Sequence, residues 1–433
     1  MAALGSSRGL VLLFLFALGL RLAAMLALGF PDRAQGAAWD WGWETACLAE
    51  TLLDERPYGD TWGKGTGASG WLTPVYPAIV AGCMLLGGGI TPLAAYVLFG
   101  LHALLSAATA LGLVALGRTL GLGRVGLAAG WAFAMYPASI WYAVTNVWDT
   151  TLAACVLTFF FVVLLRLGPR PGRRPAFLIG LMYGLLLMIN PAPLGLLPGV
   201  LLYLIMAPVA RSSGIPLEAE AKRGVDLLRI VVFLCTTFIV CAPWLTRNQV
   251  VLGTFALRSN LGVEFNVGNN DLANGRHQTA YHPSHSEREL ASYRELGEKA
   301  YASACLENAL AWMGEHPQRT WNLMARRVQI FWVGESPLSD PRVSGGVSAA
   351  EDPNAWIKWI FHMVSGVLAL MGLCLFRRRK PEGLLVRTAL FLFPAPYYLT
   401  HVMERYRFPI DPLLVFLAVW VAFEGLARLQ RRS

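Results

Sequence analysis

Long apolar segments separated by short polar stretches follow one another along almost the whole chain. Ten of them are predicted to span a membrane, alone or packed in a bundle: residues 9–30, 92–117, 123–140, 147–167, 176–189, 192–207, 227–245, 356–376, 384–400 and 409–427. The alternating segments that are typical of outer-membrane barrels are absent from the sequence. The pattern therefore predicts an all-α polytopic membrane protein of about ten transmembrane helices.

One further apolar run, residues 74–86, is too short to cross a bilayer comfortably, because a span needs about 20 residues. Arginine and lysine cluster beside five span boundaries, at residues 118–124, 166–174, 211–223, 377–380 and 428–432. The positive-inside rule places all five clusters in the cytoplasm, which requires that residues 74–86 do not cross. We therefore predict an interfacial helix there, with both chain ends in the cytoplasm.

This topology divides the chain into three parts. Residues 1–246 form an amino-terminal transmembrane module that contains an outer loop, residues 31–91, which we call the first loop. Residues 247–354 form a second outer loop, the large loop, with helical patterning over 286–313 and 318–332 and an irregular start over 247–283. Residues 355–433 return as carboxy-terminal transmembrane helices.

The composition supports a membrane protein and argues against a nucleic-acid partner. Charged residues make up 15% of the chain, whereas soluble domains have about a quarter. The formal net charge of +9 fits cytoplasmic loops, and no arginine-rich helix interleaved with aromatic residues predicts a nucleic-acid partner. The seven cysteines lack zinc-ligand spacing, so we predict no metal or other cofactor. A disulfide between Cys47 and Cys305 of the two outer loops remains open.

The first loop holds a dense group of acidic and aromatic side chains. Asp40 and Glu44 are four residues apart, a spacing that puts both carboxylates on one face of a helix. A carboxylate in apolar surroundings has a raised pKa and suits a general base. The alternative is a pair of solvated charges at the start of an interfacial helix. Tyr76, where the loop joins the apolar run, is a candidate substrate contact or an interface anchor.

A second group of candidates lies near the predicted outer ends of spans. Asp149 begins an apolar span, where an acidic residue either caps the helix or enters a functional site. His401, Arg405, Tyr406 and Arg407 occupy the short turn before the last span. Arginine suits bidentate phosphate binding, so these residues predict a site for an anionic lipid head group. A salt bridge from Arg405 to the first loop is the alternative.

The start of the large loop adds polar candidates. Arg247, Asn248, Arg258 and Asn269 lie in segments rich in asparagine and glycine, and we expect them to contact substrate. Three histidines follow, without metal-ligand spacing: His277, His282 and His285.

Several of these stretches together resemble one family. The pattern Glu44-x-x-x-Leu48-Ala49, followed by Trp71-x-x-Pro74-x-Tyr76-Pro77, is similar to the first outer loop of the protein O-mannosyltransferase and aminoarabinose-transferase superfamily. Four further segments resemble a bacterial subgroup: Pro243-Trp244-Leu245-Thr246-Arg247-Asn248, Arg258-Ser259-Asn260-x-Gly262-x-Glu264, Gly268-Asn269-Asn270 and Arg405-Tyr406-Arg407-x-Pro409-x-x-Pro412. The ordered set resembles GT-C glycosyltransferases of family 39.

The resemblance implies a GT-C-like bundle with interfacial helices in the first loop. It also implies a polyprenyl-phosphate-linked sugar as donor, an active site at the outer face of the cytoplasmic membrane, and inversion at the anomeric carbon. In such families the base comes from the first outer loop, and many members carry adjacent Asp-Glu there. This chain has Trp43-Glu44 instead, with Asp40 displaced by one turn.

We therefore predict an inverting glycosyltransferase acting on a lipid-phosphate sugar, with membrane lipid and an unidentified hydroxyl acceptor as partners. Glu44, or else Asp40, takes the acceptor proton. Arg405 and Arg407, with Arg247 helping, stabilise the leaving polyprenyl phosphate.

The alternative function is a lipid or glycan transporter or flippase without transferase chemistry. Asn190-Pro191 could break a helix, and Arg21 is a charge deep in the first span. Both features are expected of a transport pathway.

Overall fold

The computed structural model describes residues 6–34, 41–168, 171–206, 227–338, 354–378 and 380–430, and the statements below concern these residues. The described chain is helical, apart from turns, loops and one isolated bridge between Gly59 and Ala68. Asp40 lies outside the described residues, as does the predicted basic cluster at 211–223.

The described residues form eighteen α-helices. They are α1 (Ser7–Leu28), α2 (Trp43–Leu53), α3 (Val75–Gly87), α4 (Pro92–Thr119), α5 (Gly123–Met135), α6 (Pro137–Thr145), α7 (Thr150–Leu167), α8 (Arg173–Ile189), α9 (Leu197–Ile205), α10 (Leu227–Leu252), α11 (Leu261–Gly268), α12 (Glu287–Leu296), α13 (Glu298–Glu315), α14 (Pro317–Val333), α15 (Ala355–Gly372), α16 (Lys380–Leu392), α17 (Ala395–Leu399) and α18 (Asp411–Gln430).

Six helical segments of the described chain are long and apolar enough to cross a membrane. They are Ser7–Leu28, Pro92–Thr119, Thr150–Leu167, Leu227–Leu252, Ala355–Phe376 and Glu404–Gln430. The prediction of an all-α polytopic membrane protein is therefore confirmed. The short apolar run forms α3, which ends where Gly88 takes a left-handed backbone conformation (φ 76°). The total of ten crossing helices stays a prediction.

Three segments that the sequence predicts as continuous helices are broken in the structure. Residues 123–140 divide into α5 and α6, because Pro137 has no N–H to continue the ladder. Residues 384–400 divide in the same way at Pro394. Residues 286–313 divide at Gly297, whose φ of 75° suits glycine. In contrast, α10 extends to Leu252, past the predicted span end and the predicted boundary at 246.

Close packing joins the helices of the bundle. Helix α8 lies against α10 through Gly180, where an added Cβ would meet the Phe233 carbonyl oxygen at 2.6 Å. Arg21 of α1 is buried, and its guanidinium donates to Ser106 Oγ and Ser139 Oγ, each at 2.7 Å, and to three backbone carbonyls. The Arg21 guanidinium therefore links α1 to α4 and to the α5–α6 junction through hydrogen bonds.

Cys47 and Cys305 are buried free thiols in the structure, so the disulfide considered above is not formed.

Candidate functional site

A cavity of about 920 Å³ lies where the first loop, α10, α11 and the turn before α18 meet. Its polar lining includes Glu44, Tyr76, Asp149, Asn190, Arg258, Asn260, Glu264, His401, Arg405 and Tyr406. Apolar side chains from the segments around α8 to α10 line the rest, among them Leu187, Leu194, Leu234, Phe238 and Leu245. The cavity thus combines a charged part with an apolar part, and it joins segments far apart in the sequence.

Glu44 enters the cavity from the first turn of α2. The helix begins after Gly42, whose φ is 70° and where an added Cβ would lie 2.9 Å from the Val147 carbonyl oxygen. This close approach brings the start of α2 beside the segment that carries Asp149. Burial raises the pKa of Glu44 above its ordinary value, while its own backbone hydrogen bond and the charge of Arg405 oppose that rise.

Glu264, in the first turn of α11, is a cavity carboxylate that the sequence analysis did not select. Its Oε1 accepts a hydrogen bond from Asn260 Nδ2 at 2.9 Å, and its Oε2 lies 3.6 Å from His401 Nδ1. Burial raises the pKa of Glu264 to about 7, against the opposing charge of Arg405. It is the one acidic residue of the otherwise apolar and amide-bearing helix α11, which is the signal that could have identified it.

Asp149 precedes α7 and binds one of the two cavity arginines. Its Oδ2 accepts from Arg258 Nη2 at 2.9 Å and from Asn190 Nδ2 at 3.1 Å. The two side chains of the ion pair are 15% and 23% exposed, so solvent screens the pair only in part. Asn190, at the break after α8, thus contributes to this polar network.

Arg405 is held differently, by aromatic rings. Its Cζ lies 3.6 Å from the ring centroid of Trp148 and 5.5 Å from that of Tyr406. In the part of the chain that the structure describes, no carboxylate oxygen lies within the 4.0 Å salt-bridge distance of this guanidinium. The Tyr406 hydroxyl in turn hydrogen-bonds His401 Nε2 at 2.9 Å, and its ring stacks on Tyr397.

Tyr76, the remaining predicted residue of the cavity wall, is buried in α3. Its hydroxyl and His102 Nε2 share a hydrogen bond of 3.1 Å, so the tyrosine ties α3 to α4 as well as lining the cavity.

Arg407 is not brought to the cavity, although it lies only two residues after Arg405. Its Nε donates to Asp411 Oδ1 at 2.8 Å, and its Nη1 and Nη2 donate to the His362 carbonyl and to Ser365 Oγ. Arg407 is buried and forms an internal joint between α15 and α18.

Three predicted residues of the large loop also lie outside the cavity lining. Arg247 Nη1 donates to the Ser69 carbonyl, Asn248 Nδ2 donates to the Ala256 carbonyl at 2.8 Å, and Asn269 Nδ2 donates to the Leu399 carbonyl at 2.9 Å. All three therefore bind backbone segments that neighbour the cavity.

A buried carboxylate, Glu298, joins the two loops that build the cavity. It is 4% exposed and accepts four hydrogen bonds: from Ser69 Oγ at 2.5 Å, Gly70 N at 2.6 Å, Ser259 Oγ at 2.5 Å and Tyr293 Oη at 2.7 Å. Ser259 adjoins Arg258, and Gly70 adjoins Trp71, another cavity residue. We call this arrangement the Glu298 joint. No sequence pattern marks it.

Comparison with known proteins gives the fold. The sequence matches no model of a protein family and no curated protein. It is similar in structure to the archaeal oligosaccharyltransferase AglB from Archaeoglobus fulgidus in complex with an inhibitory peptide and a dolichol-phosphate, with a TM-score of 0.51, 12% identity, and coverage of 98% of this chain and 50% of that chain. The chain has the GT-C fold.

A second oligosaccharyltransferase structure from Archaeoglobus fulgidus, tethered with an acceptor peptide, has a TM-score of 0.49 and 14% identity over the same shares of the two chains. The chain spans about half the length of these solved structures. The predicted GT-C-like bundle is confirmed, whereas membership of family 39 and of its bacterial subgroup stays a prediction.

Beside the charged part of the cavity lies a group of histidines. The ring centroid of His277 is 4.9 Å from that of His282 and 5.0 Å from that of His401. Burial lowers the pKa of His277 to about 4 and lowers the pKa values of His282 and His401 well below the ordinary value. Burial therefore disfavours the protonated form of these three rings. Within the described residues, no group of three or more histidine, cysteine or acidic side chains is placed to hold a metal ion.

Proposed function

We propose that this protein is a membrane glycosyltransferase that moves a sugar from a polyprenyl-phosphate-linked donor to a hydroxyl acceptor. The observation that carries the proposal is the meeting of Glu44, from near the amino end, with Arg405, from near the carboxyl end, in one cavity. A half-buried carboxylate can act as a base, and a guanidinium free of carboxylate partners in the described chain can bind a phosphate. Transfer from a lipid phosphate requires both groups.

The chemistry is a single displacement. Glu44 accepts the proton of the acceptor hydroxyl as that oxygen bonds to C1 of the sugar. The bond from C1 to the phosphate oxygen breaks, the polyprenyl phosphate leaves with the electron pair, and Arg405 stabilises the charge that develops there. Attack from the face opposite the leaving group inverts C1. Asp40 remains the second candidate for the base.

The shape of the cavity supports a donor of this class. Its volume of about 920 Å³ lies within the range of sites for small molecules. The apolar side chains Leu194, Leu234 and Phe238 offer contacts to the first isoprene units, while the charged lining faces the sugar and phosphate. The AglB structure named above contains a dolichol-phosphate, which is a polyprenyl phosphate. The positive-inside rule favours a location in the cytoplasmic membrane with the cavity facing outward.

The test is transfer by the purified protein in proteoliposomes. A panel of radiolabelled polyprenyl-phosphate sugars serves as donors, and extracted membrane lipids, envelope polysaccharides and proteins serve as acceptors. We expect Glu44→Gln to lower turnover roughly 10²- to 10⁴-fold. Glu50→Gln, at an exposed position on the same helix, is the matched control and should keep wild-type turnover. Equal turnover by the wild type and the Glu44→Gln variant would remove the proposed base.

A further inference from the structure

Two consecutive residues hold the two cavity arginines, and they do so in opposite ways. Asp149 binds Arg258 through an ion pair of 2.9 Å. Trp148 binds Arg405 through its ring face, with 3.6 Å between Cζ and the ring centroid. The dipeptide Trp148-Asp149 therefore contacts both arginines, one through a carboxylate and the other through an aromatic ring.

The two kinds of contact leave the guanidinium in different chemical states. A carboxylate cancels the charge and takes up N–H donors, as Asp149 does with Arg258. An aromatic face attracts the cation through its quadrupole, and a guanidinium that lies over it keeps its N–H groups, which point outward in the guanidinium plane. Among the described residues, the contacts recorded for the Arg405 guanidinium are with the rings of Trp148 and Tyr406.

From this contrast we infer that Trp148 is the positioning residue for the phosphate-binding arginine: its ring fixes Arg405 in the cavity while leaving the charge and donors of that side chain for the phosphate of the donor lipid. The inference rests on the proposed function and assigns the phosphate to Arg405 rather than to Arg258.

Trp148 is itself held in place, as a positioning residue must be. Its Nε1–H donates to Asn146 Oδ1 at 3.2 Å. Asn146 Nδ2 in turn donates at 2.5 Å to Oγ1 of Thr145, which is the last residue of α6. On its other side, Asp149 is fixed by Arg258 and Asn190. The ring is therefore anchored from both chain directions and can restrict the long, flexible side chain of Arg405.

The experiment measures binding of polyprenyl phosphate alone to the full-length protein in nanodiscs, and kcat and KM with the lipid-linked sugar. Trp148→Leu removes the π face. Trp148→Phe retains one, and Trp148→pentafluorophenylalanine keeps the shape of phenylalanine but reverses the sign of its quadrupole. Trp321→Leu, at a position that is 66% exposed, is the matched control.

We expect Trp148→Leu to weaken polyprenyl-phosphate binding roughly 5- to 30-fold, the range that a desolvated cation–π contact supplies. Trp148→Phe should recover most of that loss, the pentafluoro variant should not, and Trp321→Leu should bind as the wild type does. Added to Arg405→Gln, Trp148→Leu should cause no further loss, because the ring acts through the arginine.

Two results would overturn the inference: equal binding by the phenylalanine and pentafluorophenylalanine variants, or a full additional loss in the double variant with Arg405→Gln. The phenylalanine pair keeps the first comparison decisive if the leucine variant fails to fold. In either case the proposed function survives, provided that the wild type binds polyprenyl phosphate and transfers sugar. A wild type that does neither would overturn both.

Discussion

Replacing Glu298 with alanine should destabilise the contact between the two loops that build the cavity, although Glu298 itself does not line the cavity. The carboxylate accepts four hydrogen bonds, and a hydrogen bond to a charged group contributes about 1.5–3 kcal/mol. Their simple sum overstates the loss, because the released donors can reach water through a neighbouring cavity of about 450 Å³ that Glu298 also lines. We therefore expect the free energy of unfolding to fall by about 3–6 kcal/mol, which corresponds to the net loss of two of these hydrogen bonds.

The assay is thermal unfolding of the detergent-solubilised protein, followed by intrinsic tryptophan fluorescence. Trp71 directly follows the joint, and Trp62 packs on it with 4.8 Å between ring centroids, so both report on this region. Glu298→Gln keeps one acceptor oxygen and should lose less stability than Glu298→Ala. Glu307→Ala, at an exposed position on the same helix, is the control. Indistinguishable unfolding temperatures for Glu298→Ala and Glu307→Ala would refute the role given to the Glu298 joint.

Three further predictions concern the charged residues. The value of kcat/KM should rise with pH as Glu44 loses its proton, and this rise should lie above the ordinary carboxyl pKa of 4.5 because burial raises the pKa of Glu44. The residual activity of Arg405→Gln should rise at still higher pH, since the Arg405 charge lowers the Glu44 pKa in the wild type. A rise at lower pH in that variant would contradict this prediction. Arg407→Gln leaves Asp411 buried without its cation and should lower stability by about 3–5 kcal/mol while the folded fraction keeps the donor KM; a raised KM at unchanged unfolding temperature would instead indicate substrate contact. Asp149→Asn frees Arg258 and should tighten polyprenyl-phosphate binding about fivefold, equivalent to about 1 kcal/mol, in equilibrium binding to nanodiscs; weaker binding would show that the ion pair serves the site in another way.

Much of the fold could be predicted because the membrane leaves a strong pattern in the sequence. Apolar length located the helices that became α1, α4, α7 and α10, and the short apolar run became the short helix α3. The helix breaks were missed for a local reason. Pro137, Pro394 and Gly297 each lie inside a pattern that is otherwise helical, and hydropathy does not register the lost N–H or the left-handed backbone.

The site was predictable in part. Acidic and basic residues placed near the predicted outer ends of spans drew attention to Glu44, Asp149 and Arg405, and the structure brings these three to one cavity. Their spacing in the sequence could not show which of them pair. The Asp149–Arg258 ion pair joins positions 109 residues apart and depends on how α7 packs against the large loop.

Arg405 and Arg407 illustrate why a motif does not fix roles. Arg405 lies in the 3₁₀ turn Glu404–Tyr406, and Arg407 links that turn to the next one, Phe408–Ile410. With about three residues per turn, side chains two residues apart point to different sides. Arg405 therefore faces the cavity while Arg407 faces the interior. The spacing of four residues between Arg407 and Asp411 could have indicated an ion pair between them at the start of α18.

The most direct measurement of the central claim is equilibrium binding of polyprenyl phosphate to the wild type, Glu44→Gln and Arg405→Gln in nanodiscs, with sugar transfer followed on the same samples. The account predicts that Glu44→Gln binds the lipid phosphate as the wild type does but transfers sugar roughly 10²- to 10⁴-fold more slowly, whereas Arg405→Gln weakens the binding itself. Wild-type binding by Arg405→Gln, or normal transfer by Glu44→Gln, would contradict it.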